Sequence, residues 1–256
     1  VMTTKPHVTS LQSAIDDAHL SNAVVDIGKQ HVTLSSAKID GALCKYLSLP
    51  ASESKDDLQP VAQGEVLPWV INVDTLSLAK SKVTYGKLDY LPVKHFDPSY
   101  LSLYDLNINA EDIYNKAMEV AVKVNHLSFH ERSGFAVSHA NMSLLLDSSN
   151  ILVDNLYLAT QNSTLQGSLK ADASILEQSP YANLSLNMNL SLSMFDAPYF
   201  VPTISNYLPL LPTSKVNAKI DVGGNLSMLH LKKAEVALPD NLEMELSGDI
   251  ANILNS

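Results

Sequence analysis

The chain has 256 residues, 46% of them hydrophobic and 17% charged, with a formal net charge of −10. That is room for one large domain or two small ones, and so apolar a composition excludes wholesale disorder. Nucleic-acid binding needs a face of clustered Lys and Arg, and the acidic balance excludes it: Arg132 is the single arginine. Cys44 is the single cysteine, so no internal disulfide can form. No apolar run reaches the roughly 18 residues of a membrane-spanning helix, and no signal peptide is visible. The sequence starts at Val1 and stops in mid-pattern at Ser256. We therefore expect a piece of a longer chain, with any anchor or export signal outside it.

In chain order, residues 51–65 come first as a polar, acidic stretch, read as a mobile loop. Four windows then repeat an apolar pair, a gap and a second apolar pair. They are Ile71, Val73, Leu76, Leu78; Leu101, Leu103, Leu106, Ile108; Val122, Val124, Leu127, Phe129; and Ile151, Val153, Leu156, Leu158. Each gap holds an Asp or Asn: Asp74, Asp105, Asn125, and Asp154 with Asn155. An Asx side chain bonds its own backbone, and a bulge shifts the alternation by one residue, as the windows require. Residues 110–119 could form a short helix, but the alternation from Val120 onward argues for a strand. Asp147-Ser148-Ser149-Asn150 reads as a hairpin turn between alternating runs.

The alternation is strongest beyond residue 160. Leu165, Gly167, Leu169, Ala171, Ala173 and Ile175 form one run; Leu184, Leu186, Met188, Leu190, Leu192 and Met194 form the next, with Asn or Ser at every intervening position. A strand sends alternate side chains to opposite faces, so this segment has one oily face and one wet face. Its Leu-Asn and Leu-Ser repetition also generates N-x-Ser/Thr triplets, so these carry no separate meaning. Residues 196–208 read as a short helical insert, started by Pro198 and Pro202 and stopped by Pro209 and Pro212. Val216, Ala218, Ile220 and Val222 alternate again, Gly223-Gly224-Asn225 reads as a turn, and Leu242, Met244 and Leu246 close the pattern. The expected architecture is a single elongated all-β body over residues 1–256, a mostly antiparallel curled sheet with one oily concave face.

Residues that could carry chemistry are few. The eight histidines are scattered; His126 and His130 are the closest in sequence, and strand rise sets them about 13 Å apart, too far to share a metal. Cys44 has no partner motif, and there is no nucleophile elbow, phosphate loop or zinc motif. Asp16-Asp17 and Asp56-Asp57 read as solvated charges. The two acids of a glycosidase need not be close in sequence, but sugar stacking favours aromatics and Trp69 is the single tryptophan. We assign no catalytic residue, no metal and no cofactor, and read the chain as a non-enzyme. The oily face is then the informative feature. It either packs against a second sheet in a closed sandwich or lines an open trough for lipid, and composition does not separate the two.

His130-Glu131-Arg132-Ser133-Gly134-Phe135 resembles the E-x-Ser-Gly-Phe element of the large AsmA-like, TamB-like proteins (translocation and assembly module subunit) of Bacteroidetes-type bacteria. Leu156-Tyr157-Leu158-Ala159-Thr160 with Ser163 and Leu165 is similar to that group's L-x-L-x-T…S-x-L stretch. Met194-Phe195-Asp196-Ala197-Pro198-Tyr199-Phe200 is similar to its entry into a helical insert. Val222-Gly223-Gly224-Asn225-Leu226 and Leu246-Ser247-Gly248-Asp249-Ile250 are similar to its Gly-containing strands, so the resemblance covers roughly residues 65–256. It implies a periplasmic half-pipe anchored to the inner membrane by a segment not present here. That half-pipe would conduct phospholipid acyl chains toward the outer membrane, or support outer-membrane protein assembly with a barrel partner. The residues expected to line it are Leu184, Leu186, Met188, Leu190, Leu192 and Met194, with Val216, Ile220, Leu242, Met244 and Leu246 on neighbouring strands. The alternative is a non-enzymatic adhesion or carbohydrate-binding β module.

Overall fold

The alternating segments form strands along most of the described residues. The computed structural model describes residues 10–48, 69–88, 90–207, 211–239 and 242–251. The strands are β1 (Ser10–Ala14), β2 (Asp17–Ser21), β3 (Val24–Asp26), β4 (His31–Asp40), β5 (Leu43–Ser48), β6 (Val70–Lys87), β7 (Tyr100–Lys116), β8 (Glu119–Glu131), β9 (Ala136–Leu146), β10 (Asn150–Ala159), β11 (Thr164–Asp172), β12 (Asn183–Ser193), β13 (Lys215–Asn225), β14 (Met228–Leu238) and β15 (Leu242–Ala251). All fifteen belong to one sheet, which does not close into a barrel. From β6 to β15 it is an antiparallel meander in which each strand pairs with the next.

The amino-terminal part departs from a simple meander. β4 and β5 lie one after the other along β6 and pair with it in parallel. β1 pairs antiparallel with β5, and β2 and β3 pair antiparallel with β4. A parallel pair cannot be joined by a tight turn. The connection from β5 to β6 is correspondingly long, and the loop expected at 51–65 falls outside the described residues.

Other expectations need adjusting locally. Residues 110–116 are strand, not helix. The turn at Asp147–Asn150 forms, and the Asp147 carboxylate accepts the Ser149 and Asn150 amides at 2.7 Å each. The alternation through Ala173 and Ile175 does not continue as strand: β11 stops at Asp172 and a 3-10 turn covers Ala173–Glu177. Asp172 is used there as an acceptor for the Asn183 amide at 2.8 Å, which ties the turn to the start of β12. Gly223 and Gly224 lie inside β13, and the turn falls at Leu226-Ser227, where Asn225 Oδ1 accepts the Ser227 and Met228 amides.

Three of the four Asx gaps are where strands change phase. Registers slip between Tyr104 and Asn107, between Val124 and Leu127, and between Val153 and Leu156. Asp105 (φ 49°) and Asn155 (φ 54°) are left-handed, a conformation that Asp and Asn tolerate better than most residues. At Asp105 the slip is matched on the neighbouring strand by Lys80 (φ 48°), whose amide donates to Asn107 Oδ1 at 3.1 Å. No register slip falls at Asp74; the left-handed residue there is Asp112 on β7, in the position across from it.

The helical insert forms as α1 (Ala197–Phe200) and α2 (Ile204–Tyr207). It is anchored by the buried Asp196, whose Oδ2 accepts the Thr160 and Ser163 hydroxyls at 2.6 Å each. Ser163 Oγ in turn accepts the Ser193 amide, so the turn after β10 and the end of β12 share one polar knot. Hydrogen bonds to a buried charge contribute about 1.5–3 kcal/mol each. Asp196→Ala is expected to lower unfolding stability by about 3 kcal/mol, read from the midpoint of urea denaturation. A change under a third of that would mean the knot is not what holds the insert.

Candidate functional site

Directly opposed residues on paired strands share a face, so the registers show which side chains line up. Leu184, Leu186, Met188, Leu190 and Leu192 on β12 face Gly224, Val222, Ile220, Ala218 and Val216 on β13. On the other side they meet Ala171, Leu169, Gly167 and Leu165 of β11. Ala218 and Ile220 then face Val236 and Ala234 of β14, which face Met244 and Leu246 of β15. Leu242 opposes Leu238 at the end of the same face. Ten of the eleven expected residues therefore share one side of the sheet. Met194 lies one residue past β12, buried at the start of the insert and not on a strand.

The same face continues toward the amino terminus. β9 serves as a ruler: Leu146, Leu144, Met142 and Ala140 oppose Val120, Val122, Val124 and Leu127 of β8. On β10 the opposing residues are Ile151, Val153 and, past the bulge, Leu158. The bulges thus return the apolar residues to the side they would otherwise leave. Farther on, Val124 and Leu127 face Ala110 and Ile108, which face Leu76 and Leu78, which face Ala37 and Ile39. The apolar side runs unbroken from β4 to β15.

Among the described residues no second layer covers it. Among the described residues twelve hydrophobic side chains are buried and seven of those are alanine, too little for a sandwich core. Leu242 and Leu246 keep more than half their surface exposed, at 54% and 55%. Along β12 the Leu and Met positions are half-buried while Asn183, Ser185, Asn187 and Asn189 are exposed, because apolar neighbours on adjacent strands shield one another. The closed sandwich is therefore not the fold. Gly167 leaves room for this contact: a Cβ there would run into the Asn187 carbonyl oxygen and crowd Met188.

One lip of the apolar side is covered. Phe135, Val137 and Ala140 form its densest cluster, with Leu127, Phe129, Leu158 and Tyr199 packed around them. Tyr199 and Phe200 of the insert meet Phe135 edge-on at 6.0 and 5.0 Å, and Phe200 also meets Phe96 at 5.4 Å. The Phe96 amide donates to the Tyr199 carbonyl at 2.9 Å, joining the segment before β7 to α1. Sequence reading placed the insert but missed that it packs on the β8–β9 turn. The available signal was aromatic content: Phe96, Phe135, Tyr199 and Phe200 all fall beside turns at the same end of the sheet.

This cover rests on buried acids. Glu131 is fully buried at the end of β8, where Oε2 accepts the Ser133 amide at 2.6 Å; Gly134 (φ 98°) turns the chain there. Asp97 is also buried. Burial pushes its carboxyl pKa up, but the Tyr90 hydroxyl, the Ser99 and Val93 amides and the charge of Arg132 outweigh burial. The net pKa lies below the usual carboxylate value.

The opposite side of the sheet is polar and carries a trough of about 690 Å³ across β11–β15. Gln166, Asn189, Asn217, Lys219, Glu235 and Glu245 line it, and Leu190 and Met244 on the same strands also border it. A hydrogen bond from Lys233 holds the Glu235 carboxyl below its ordinary pKa. A twisted sheet is concave on each face along one diagonal, so a trough on the wet side is compatible with a curled oily side. Among the described residues no three His, Cys, Asp or Glu side chains converge as a metal cluster. No protein-family model, curated protein or solved structure matches the chain.

The lowered pKa of Asp97 fixes the sign of an acid effect. A carboxyl with a depressed folded pKa stabilises above its unfolded value of about 3.9 and loses that contribution as pH falls through the folded value. Hydrogen exchange of residues 90–99 and 194–207 is expected to accelerate as pH falls below about 4, after correction for intrinsic rates. In Asp97→Asn the exchange is expected to be fast already at neutral pH. Unchanged protection in that variant would remove Asp97 from this role.

Proposed function

We propose that the chain is a segment of an AsmA/TamB-like envelope-biogenesis protein whose apolar side conducts phospholipid acyl chains. The supporting observation is the continuity of that side from β4 to β15, with no second sheet over it among the described residues. A sheet that fails to bury its oily side leaves it for another apolar material, and exposed apolar surface of this extent marks an interaction site. Successive strands lie about 4.8 Å apart, so the path across the strand order is about 50 Å long. Transfer costs about 0.8 kcal/mol per exposed CH₂, so an unprotected chain of about sixteen carbons meets a barrier of roughly a dozen kcal/mol in water. An unbroken oily track removes most of that barrier without holding any one lipid tightly. Leu and Met suit such a track because they adapt to a fluid ligand. In this reading the segment lies in the periplasm, its anchor lies outside it, and an outer-membrane barrel protein is the partner for an assembly role.

A second reading is favoured by the polar trough. Its amide and hydroxyl groups could hold a glycan, which would make the chain an adhesion or carbohydrate-binding module using the opposite side of the sheet.

Leu190 and Asn189 separate the two, being adjacent in sequence and on opposite sides of β12. A photocrosslinking residue placed at each position in cells making the full-length protein is expected to yield lipid adducts at 190 and none at 189. Leu190→Asp is expected to abolish lipid transfer, and Asn189→Asp to leave it unchanged. Equal behaviour at the two positions would overturn the conduit. Glycan-array binding lost in Asn189→Ala and kept in Leu186→Ala would establish the second reading.

A further inference from the structure

Two histidines that sequence spacing keeps apart meet across a strand pair. His126 on β8 and His139 on β9 place their Nδ1 atoms 2.8 Å apart, with ring centroids at 5.0 Å. Their neighbours Leu127 and Ala140 oppose each other on the apolar side, so the two imidazoles sit on the polar side. His130, the nearest histidine in sequence, instead stacks on Tyr104 and lies 3.7 Å from Asp105.

The surrounding hydrogen bonds assign the protons. Asn141 Nδ2 donates to the Asn155 carbonyl at 2.9 Å, so the atom it turns to His139 is Oδ1. An amide oxygen only accepts, and so His139 Nε2 carries a proton and, in the neutral ring, Nδ1 is a bare lone pair. His126 donates its Nδ1–H to that lone pair. Its Nε2, 3.3 Å from Ser128 Oγ, takes the hydroxyl proton. A single proton thus stands between two Nδ1 lone pairs aimed at each other.

We propose that His126 and His139 form a binding site for a divalent transition metal of the imidazole-preferring kind, Cu²⁺, Ni²⁺ or Zn²⁺, through their two Nδ1 atoms. The ion takes the place of the shared proton. That proton moves, by way of solvent, to His126 Nε2, and the Ser128 hydroxyl turns from donor to acceptor. Both rings stay neutral and no net proton leaves. Two nitrogens each about 2.0–2.1 Å from a tetrahedral ion lie about 3.3 Å apart, so the rings need to separate by about half an ångström. Each Nε2–H of the loaded pair then has its acceptor in place, Asn141 Oδ1 at 3.2 Å for His139 and Ser128 Oγ for His126. Outer partners of this kind orient metal-bound histidines and tune their basicity. Asn141 is itself tied to the bulge residue Asn155, and Tyr157 packs beside His139 at 5.9 Å. The remaining coordination positions are open to water, and the expected order of affinity is Cu²⁺ above Ni²⁺ and Zn²⁺.

The test is titration of the full chain with Cu²⁺, followed by calorimetry and by electron paramagnetic resonance. One equivalent is expected to bind, with a spectrum showing two equatorial imidazole nitrogens. His126→Gln and His139→Gln are each expected to weaken that equivalent at least tenfold, with far-UV circular dichroism unchanged. His19→Gln and His230→Gln, elsewhere in the sheet, are expected to leave it intact. Asn141→Ala is expected to weaken binding while keeping both nitrogens in the spectrum. A wild-type spectrum with fewer than two imidazole nitrogens would overturn the site, and this readout needs no variant to fold. Equal affinity in wild type and the His126→Gln/His139→Gln double variant would overturn it as well. The site is on the side away from the oily track, so either result leaves the conduit reading untouched.

Discussion

A strand has two sides, and one inserted residue exchanges them. The whole molecule depends on managing that fact over a long run of strands. A smooth strand as long as β6 or β7 would accumulate twist, and a slip in it would turn half its side chains to the wrong side. Here the slips are used deliberately. Where β8 and β10 each insert a residue, β9 between them stays in phase, and the apolar residues return to the side they left. On β6 and β7 the insertions at Lys80 and Asp105 answer one another through Asn107. The continuous oily side is the product of this bookkeeping, not of any single hydrophobic cluster.

A sheet with one open apolar side needs something to fix its rim, and polar groups do so here. Asp97, Glu131 and Asp196 are buried acids at the same end of the sheet, each accepting hydrogen bonds from turn amides or hydroxyls. Their partners belong to different connections: the stretch before β7, the β8–β9 turn, and the turn after β10 together with the insert. Burying charge is costly unless it is paired, and that cost makes the arrangement specific, because a shifted turn would strand a carboxylate. Aromatic packing of Phe96, Phe135 and Phe200 then supplies the apolar contact that the sheet itself lacks.

Much of this was legible in the sequence because alternation is a local property. Residues 184–192 read as a two-sided strand, and the structure has one there. The Asx gaps marked real phase changes at Asp105, Asn125 and Asn155. Features set by long-range pairing were not legible. The parallel placement of β4 and β5 on β6 depends on which strands meet, and no local pattern encodes it. Gly223 and Gly224 suggested a turn two residues too early, since a glycine pair also serves where Leu184 and His230 lie opposite on adjacent strands. His126 and His139 were read as unrelated because their meeting depends on the β8–β9 turn. With the turn centred near Ser133, the two are nearly equidistant from it, and that symmetry was the available clue.

From β6 onward each strand packs against its immediate neighbours in the sheet and against little else. Among the described residues no central core sets the number of strands, as it would in a sandwich or a barrel. Stability in such an array grows by one intrinsic term per strand and one interface term per pair. Adding a hairpin therefore lengthens the oily track by about 10 Å without disturbing what is already built. The extent of the apolar side is set by copy number, a quantity that gene duplication alters in whole units, so it can grow or shrink by whole hairpins without any core being rebuilt.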